Sequence, residues 1–81
     1  MERDVTQILS AATDSVDLIN GVNDGSWNVD GLEQSEINDM VQRNVDHLEI
    51  ILAYKEVVAD SSDKSSYTDA ISTGKAFIAA H

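Results

Sequence analysis

The chain has no cysteine. Disulfide frameworks, thiolate zinc sites, iron–sulfur clusters and cysteine nucleophiles are therefore excluded, and the redox compartment is left open. Basic residues are scarce, with five Lys and Arg against fifteen Asp and Glu, a net charge of −10. Neutralising nucleic-acid phosphates takes clustered Lys and Arg, and a polybasic membrane anchor takes the same, so direct nucleic-acid and membrane-surface binding are not expected. Long hydrophobic runs are missing too. None exceeds the five residues of Ile50-Ile51-Leu52-Ala53-Tyr54, far short of the roughly 20 residues of a membrane span. The opening Met1-Glu2-Arg3-Asp4 has neither the basic flank nor the apolar stretch of a signal peptide. Proline is absent as well, and the 42% of residues that are hydrophobic fall into periodic segments. A folded domain is expected rather than a disordered chain.

At 81 residues the chain has room for a single domain, residues 1–81, with a small core. Its uncompensated negative charge adds self-repulsion at low salt. A partner or self-association would relieve both.

Three periodic stretches predict three helices, over approximately 4–20, 35–59 and 66–80. In the first, Val5, Ile8, Leu9, Ala12, Val16 and Ile19 fall within a stripe of about 100°, the width of a core-facing surface. Arg3, Gln7, Ser10, Asp14 and Asp17 take the opposite side, and Leu18 falls off the stripe. Asn20-Gly21 supplies a stop signal, because both residue types accept the left-handed conformation that ends helices. From Asn20 to Ser35 the composition is that of a loop, with Gly21, Gly25 and Gly31 among Asn, Asp and Ser. Trp27, the one tryptophan, sits within it, either folded back as a lid on the helices or exposed as an aromatic anchor for a partner.

The second helix has two candidate N-caps, Asp30 with Glu33 three residues on, and Ser35. Its main stripe is Ile37, Met40, Val41, Val45, Leu48, Ile51, Leu52 and Val58, and Asp39→Arg43 is spaced for an i,i+4 ion pair. The polar run Asp60–Ser65 separates it from Ser66-Tyr67-Thr68-Asp69, a capping signature for the third helix. There Tyr67, Ala70, Ile71, Gly74, Phe77 and Ile78 share a face, with Gly74 placed to let helices approach closely. No strand alternation of useful length occurs. The fold class expected is all-α, a small three-helix bundle running up-down-up with a Gly-rich loop between the first two helices. Its expected core holds Val5, Ile8, Leu9, Val16, Ile37, Val41, Leu48, Leu52, Ile71 and Ile78.

Sites for chemistry are poorly supported. An EF-hand loop with Gly31 at its sixth position puts Asp30 at the fifth, Asn28 at the third and Ser26 at the first. Its twelfth position then falls on Ile37 rather than the bidentate Glu that completes the cage, and Glu36 misses by one. With Gly25 at the sixth position, Val22 and Gly31 occupy ligand places. Ordinary turn chemistry accounts for these residues. Neither His47 nor His81 belongs to an H-E-x-x-H or Glu-x-x-His pair. The serines sit in caps and linkers, with no G-x-S-x-G elbow and no Gly-rich phosphate loop. No catalytic residue, cofactor or metal is expected, and the protein is read as a non-enzyme.

Two surface features remain. Arg43, His47, Ile50, Tyr54 and Val57 step by 4, 3, 4 and 3 along a second stripe of the long helix. Such a stripe either widens the core face of a central helix or forms an exposed seam for a second copy or another protein. With Trp27 these are the candidate interface residues. Glu36, Asp39, Asp46, Glu49 and Glu56 form a candidate acidic face, extended by Asp14, Asp17 and Glu33. Such a face either keeps a protein in solution or imitates the phosphates of a nucleic acid.

Two segments resemble small proteins of tailed bacteriophages: Val41-Gln42-Arg43-Asn44-Val45-Asp46-His47-Leu48-Glu49-Ile50-Ile51-Leu52-Ala53 and Tyr67-Thr68-Asp69-Ala70-Ile71-Ser72-Thr73-Gly74-Lys75-Ala76. Together they cover under a third of the chain. The resemblance implies a viral protein, in the cytoplasm of an infected host cell or in the virion, and no mechanism. The expectation is a non-catalytic interaction module, a structural or assembly component that self-associates as a homo-oligomer or docks through the second stripe. The alternative is an acidic inhibitor of a host protein, a defence effector or nucleic-acid-handling enzyme, acting by nucleic-acid mimicry.

Overall fold

The first stripe forms α1, Val5–Asp24, in a computed structural model that describes residues 4–81. The expected place of Arg3 lies outside those residues. Asp4 caps α1, its carboxylate accepting the Thr6 amide at 2.9 Å, one of the orphan donors of a helix start. Asn20-Gly21 does not end the helix. It runs on for another turn to Gly25, whose φ of 86° is left-handed, the backbone state that closes helices and that glycine adopts without penalty. Gly21 contributes space instead. A Cβ there would lie 3.2 Å from Cβ and Cε3 of Trp27, and the Trp27 amide donates to the Gly21 carbonyl at 3.0 Å.

The connection to the next helix is built from Asx turns. The Asp24 carboxylate accepts the Ser26 amide at 2.8 Å, and the Asn28 side chain accepts the Asp30 amide at 2.9 Å, each satisfying a loop donor locally. Helix α2, Gln34–Ala53, starts at neither expected cap. Glu33 is the N-cap, in a reciprocal capping box with Glu36. The Glu36 carboxylate accepts the Glu33 amide at 3.3 Å, so two orphan donors are met by two carboxylates.

The largest departure from the sequence pattern is at Tyr54. The helix expected to run from 35 to 59 breaks there, at φ −63° and ψ 135°, and a short α3, Lys55–Ala59, follows. The cause is tertiary. Ser15 meets His47, and Gln7 and Ile8 lie beside Ile51 and Tyr54, so α1 and α2 run antiparallel and Tyr54 is already level with the first turn of α1. A continued α2 would project past its neighbour. The break turns the chain so that Val57 is fully buried, worth roughly 1.5–3 kcal/mol, while Val58 is left 68% exposed. Two expectations are thereby corrected: Val58 is outside the core, and Val57 is inside it rather than on an exposed stripe.

After the Asp60–Lys64 linker, α4 spans Ser65–Ala80. Its start is also corrected. Ser66 and Asp69 lie inside the helix, and the Ser65 amide is met by the Asp63 carboxylate at 2.8 Å. The described residues are thus all-helical with no strand, and α1, α2 and α4 each pack on the other two. No described helix is long and apolar enough to cross a membrane.

Where the three long helices meet, the side chains are small or β-branched. A Cβ built on Gly74 would lie 2.5 Å from Val45 Cγ2, 3.3 Å from Val41 Cγ1 and 3.4 Å from Ile19 Cγ2. Of the expected core, Ile8, Ile37, Val41 and Leu48 are buried. Val5, Leu9, Val16, Leu52, Ile71 and Ile78 are only half-buried, because a bundle this thin encloses the centre line of each stripe and leaves its margins at the rim. The enclosed places go to Ala12, Ile19, Val22, Val45, Ile51, Val57 and Ala70.

Candidate interaction surface

At 100° per residue, Asp39, Arg43, Asp46 and Ile50 share one face of α2, opposite the buried Val41, Val45 and Leu48. Ile50 is 55% exposed there, an apolar side chain on an otherwise charged face. The expected Asp39–Arg43 ion pair is not formed. The ion pairs among the described residues are Lys64–Asp60 and Lys75–Glu49, both at 3.4 Å.

The second stripe therefore divides. Arg43 and Ile50 face outward, whereas His47 and Tyr54 turn to the flank that meets α1. The His47 ring nitrogen Nδ1 lies 3.0 Å from the Ser15 hydroxyl, a hydrogen bond whose direction depends on the imidazole tautomer. Ser15 is 2% exposed. On an α1 stripe of isoleucines and alanine its hydroxyl needs a partner from across the interface, because an unmet buried polar group costs about 1–3 kcal/mol. The pairing of a serine with a histidine is also that of a nucleophile with its base. Here the hydroxyl is sealed from solvent, and the contact fixes the ring and joins α1 to α2.

Beside that ring is a surface cavity of about 140 Å³ lined by Gln7, Ile8, Ala11, His47, Ile51 and Tyr54. Ile8 and Ile51 are buried and form its floor; Gln7, Ala11 and His47 are exposed around its mouth, and Tyr54 is half-buried. Ser15, Gln7 and Ala11 are not singled out by sequence pattern. Ser15 does fall in phase with Ile8, Ala12 and Ile19, which is a readable signal. Gln7 and Ala11 become cavity residues only through the pairing of two helices.

Trp27 is folded back only in part. It covers Gly21 and stays 41% exposed, with Leu32 of the same loop at 40%.

The acidic face is partly taken up by the fold. Glu36 closes the α2 capping box, Glu49 pairs with Lys75, and Glu56 is half-buried on α3. Asp39 and Asp46 remain on the outer face of α2, with Asp46 accepting from Gln42 at 2.8 Å. Charge is nonetheless uneven along the chain. Residues 4–54 hold ten acids and one base, Arg43, whereas residues 55–81 hold four acids and three lysines. The α1–α2 side of the molecule carries most of the negative field.

Three carboxyls sit below the ordinary aspartate range. Asp24 is held down by the Ser26 hydroxyl and then its amide, Asp60 by the Ser62 hydroxyl and amide with Lys64, and Asp63 by the Ser65 amide and then its hydroxyl. All three close turns next to helix ends. Among the described residues no three His, Asp or Glu side chains converge as metal ligands would; Asn28 and Asp30, the EF-hand candidates, are engaged in an Asx turn. Compared with known proteins, the chain matches no family model, no curated protein and no solved structure.

Proposed function

We propose that the chain is a non-catalytic protein–protein interaction module of tailed-bacteriophage type, a structural or assembly component that docks through the flank of α2 formed by Arg43, His47, Ile50 and Tyr54. The observation that carries this reading is Ile50, a large apolar side chain 55% exposed on the charged face of a helix that spends its other apolar residues on the core. Exposed apolar residues beside a well-formed depression are what interfaces use, whereas scattered ones need no explanation. The three long helices, taken as an up-down-up bundle, hold that flank rigid. Val57 has no part in the surface, being buried, and Trp27 at the far end of α1 is a separate contact point. The setting is an infected host cell or a virion.

A second reading is favoured by the charge distribution: an acidic inhibitor that presents the α1–α2 side to the basic cleft of a host nucleic-acid-handling protein or defence effector. High salt separates the two, since electrostatic mimicry is lost in it, whereas the share of binding that comes from an apolar contact persists.

The docking reading is tested by Ile50→Glu. A surface change away from packing shifts stability by no more than about 0.5 kcal/mol, so the variant should melt with wild type. A loss of more than about 2 kcal/mol would show that Ile50 is needed in the core and would overturn the reading. Light scattering on both proteins then distinguishes a second copy from a different protein as the partner.

A further inference from the structure

We infer that the cavity between α1 and α2 seats one aromatic side chain presented by a basic segment of a partner protein. This rests on the docking reading above and adds the chemistry of the partner. Size comes first. The cavity measures about 140 Å³, close to the roughly 150 Å³ apolar cavity that accepts benzene and well below the roughly 300–1,000 Å³ of small-molecule pockets. The depression has room for one ring. The lining agrees. The Ile8 and Ile51 floor offers apolar contact, while Gln7 and His47 at the mouth can meet the polar edge of an indole or phenol. Ser15 holds the His47 ring through Nδ1, so the wall is set before anything arrives, and preorganisation is what lets a small pocket bind well.

Charge decides between a second copy and a different protein. The two helices that build the cavity, with their connecting loop, carry nine acids against Arg43. A second copy would bring a net −10 against a net −10. A segment rich in Lys and Arg meets the same field with attraction and gains in association rate as well.

The probe is the peptide acetyl-Lys-Arg-Trp-Arg-Lys-amide, with its Trp→Ala counterpart, titrated into the whole protein at about 0.15 M salt and followed by backbone amide NMR shifts. The Trp peptide should bind roughly tenfold more tightly than the Ala peptide and shift the amides of Ala11, His47 and Ile51. Ala11→Trp, which fills the cavity from an exposed position, should abolish that tenfold difference. Equal affinity of the two peptides, or shifts confined to other residues, overturns the inference. So does light scattering that finds wild type dimeric and Ala11→Trp monomeric, since a second copy would then be the occupant. If the cavity shows no preference for Trp while Ile50→Ser, which leaves the charge unchanged, still weakens peptide binding, the docking reading stands without the cavity. If Ile50→Ser also has no effect, both are lost.

Discussion

Gly74 is where the physical chemistry of a single residue is most exposed. In an isolated helix, Gly→Ala is favourable by up to about 1 kcal/mol. Here the new methyl would sit 2.5 Å from Cγ2 of Val45, a side chain with no exposed surface. Val45 has no room to swing aside, because Val41 and Ile19 close the same junction. Overpacking of this kind costs about 1–3 kcal/mol, so Gly74→Ala should destabilise the protein by roughly 1–2 kcal/mol in urea unfolding despite the better helix former. The double variant Gly74→Ala/Val45→Ala should be less destabilised than the sum of its parts, since removing Cγ2 clears the clash. Strict additivity would place the cost elsewhere. Ser15 illustrates a different residue-scale rule. Its hydroxyl interrupts an apolar stripe and is tolerated because His47 reaches it, so one hydrogen bond both satisfies α1 and orients a ring on α2.

At the scale of elements, the register of Val57 and Val58 records the break at Tyr54. A continuous helix would put Val57 among the outward residues and Val58 nearer the core, whereas the observed turn does the reverse. Val57→Ala should therefore cost on the order of 2 kcal/mol through the cavity it leaves, and Val58→Ala should stay within about 0.5 kcal/mol. Equal effects, or the opposite order, would mean that α2 runs on without a break. The stripes themselves were legible in the apolar spacing, and so was the all-helical class, because a 3.6-residue period is a local property. The break was not legible. No Pro or Gly marks it, and its position is set by where α1 begins, a fact of tertiary structure. The spacing put the stop at Asn20-Gly21, whereas the helix closes at Gly25 and Trp27 packs on Gly21. The candidate site divides the same way. Arg43 and Ile50 face outward, one of the two placements that their spacing left open, while the cavity beside His47 and Tyr54 needed α1 to exist at all.

For the whole molecule, the governing quantity is charge on a narrow body. The principal extents are 41 × 21 × 18 Å, so charges on opposite sides are never far apart. Two like charges about 15 Å apart repel by roughly 0.3 kcal/mol in unscreened water. A net charge of −10 involves many such pairs, so the total at low salt is several kcal/mol. The unfolded chain carries the same charge spread over a larger volume, and only the difference, about 1–2 kcal/mol, acts on stability. At about 10 mM salt the screening length of roughly 30 Å exceeds the width of the molecule, and at about 150 mM it falls to roughly 8 Å, short of it. Stability should therefore rise over that range by about 1–2 kcal/mol, a gain of several degrees in melting temperature for a domain of this size. Most of the rise should be complete by physiological ionic strength, as screening predicts and general salting-out does not. Thermal melts in NaCl and in choline chloride should coincide, because screening depends on ionic strength and not on the cation. A flat profile would mean that the acids are balanced locally, and it would remove the electrostatic reason for expecting a basic partner. A rising one ties fold to function, because a bound Lys- and Arg-rich segment relieves the same repulsion as salt and should raise the melting temperature most where salt is lowest.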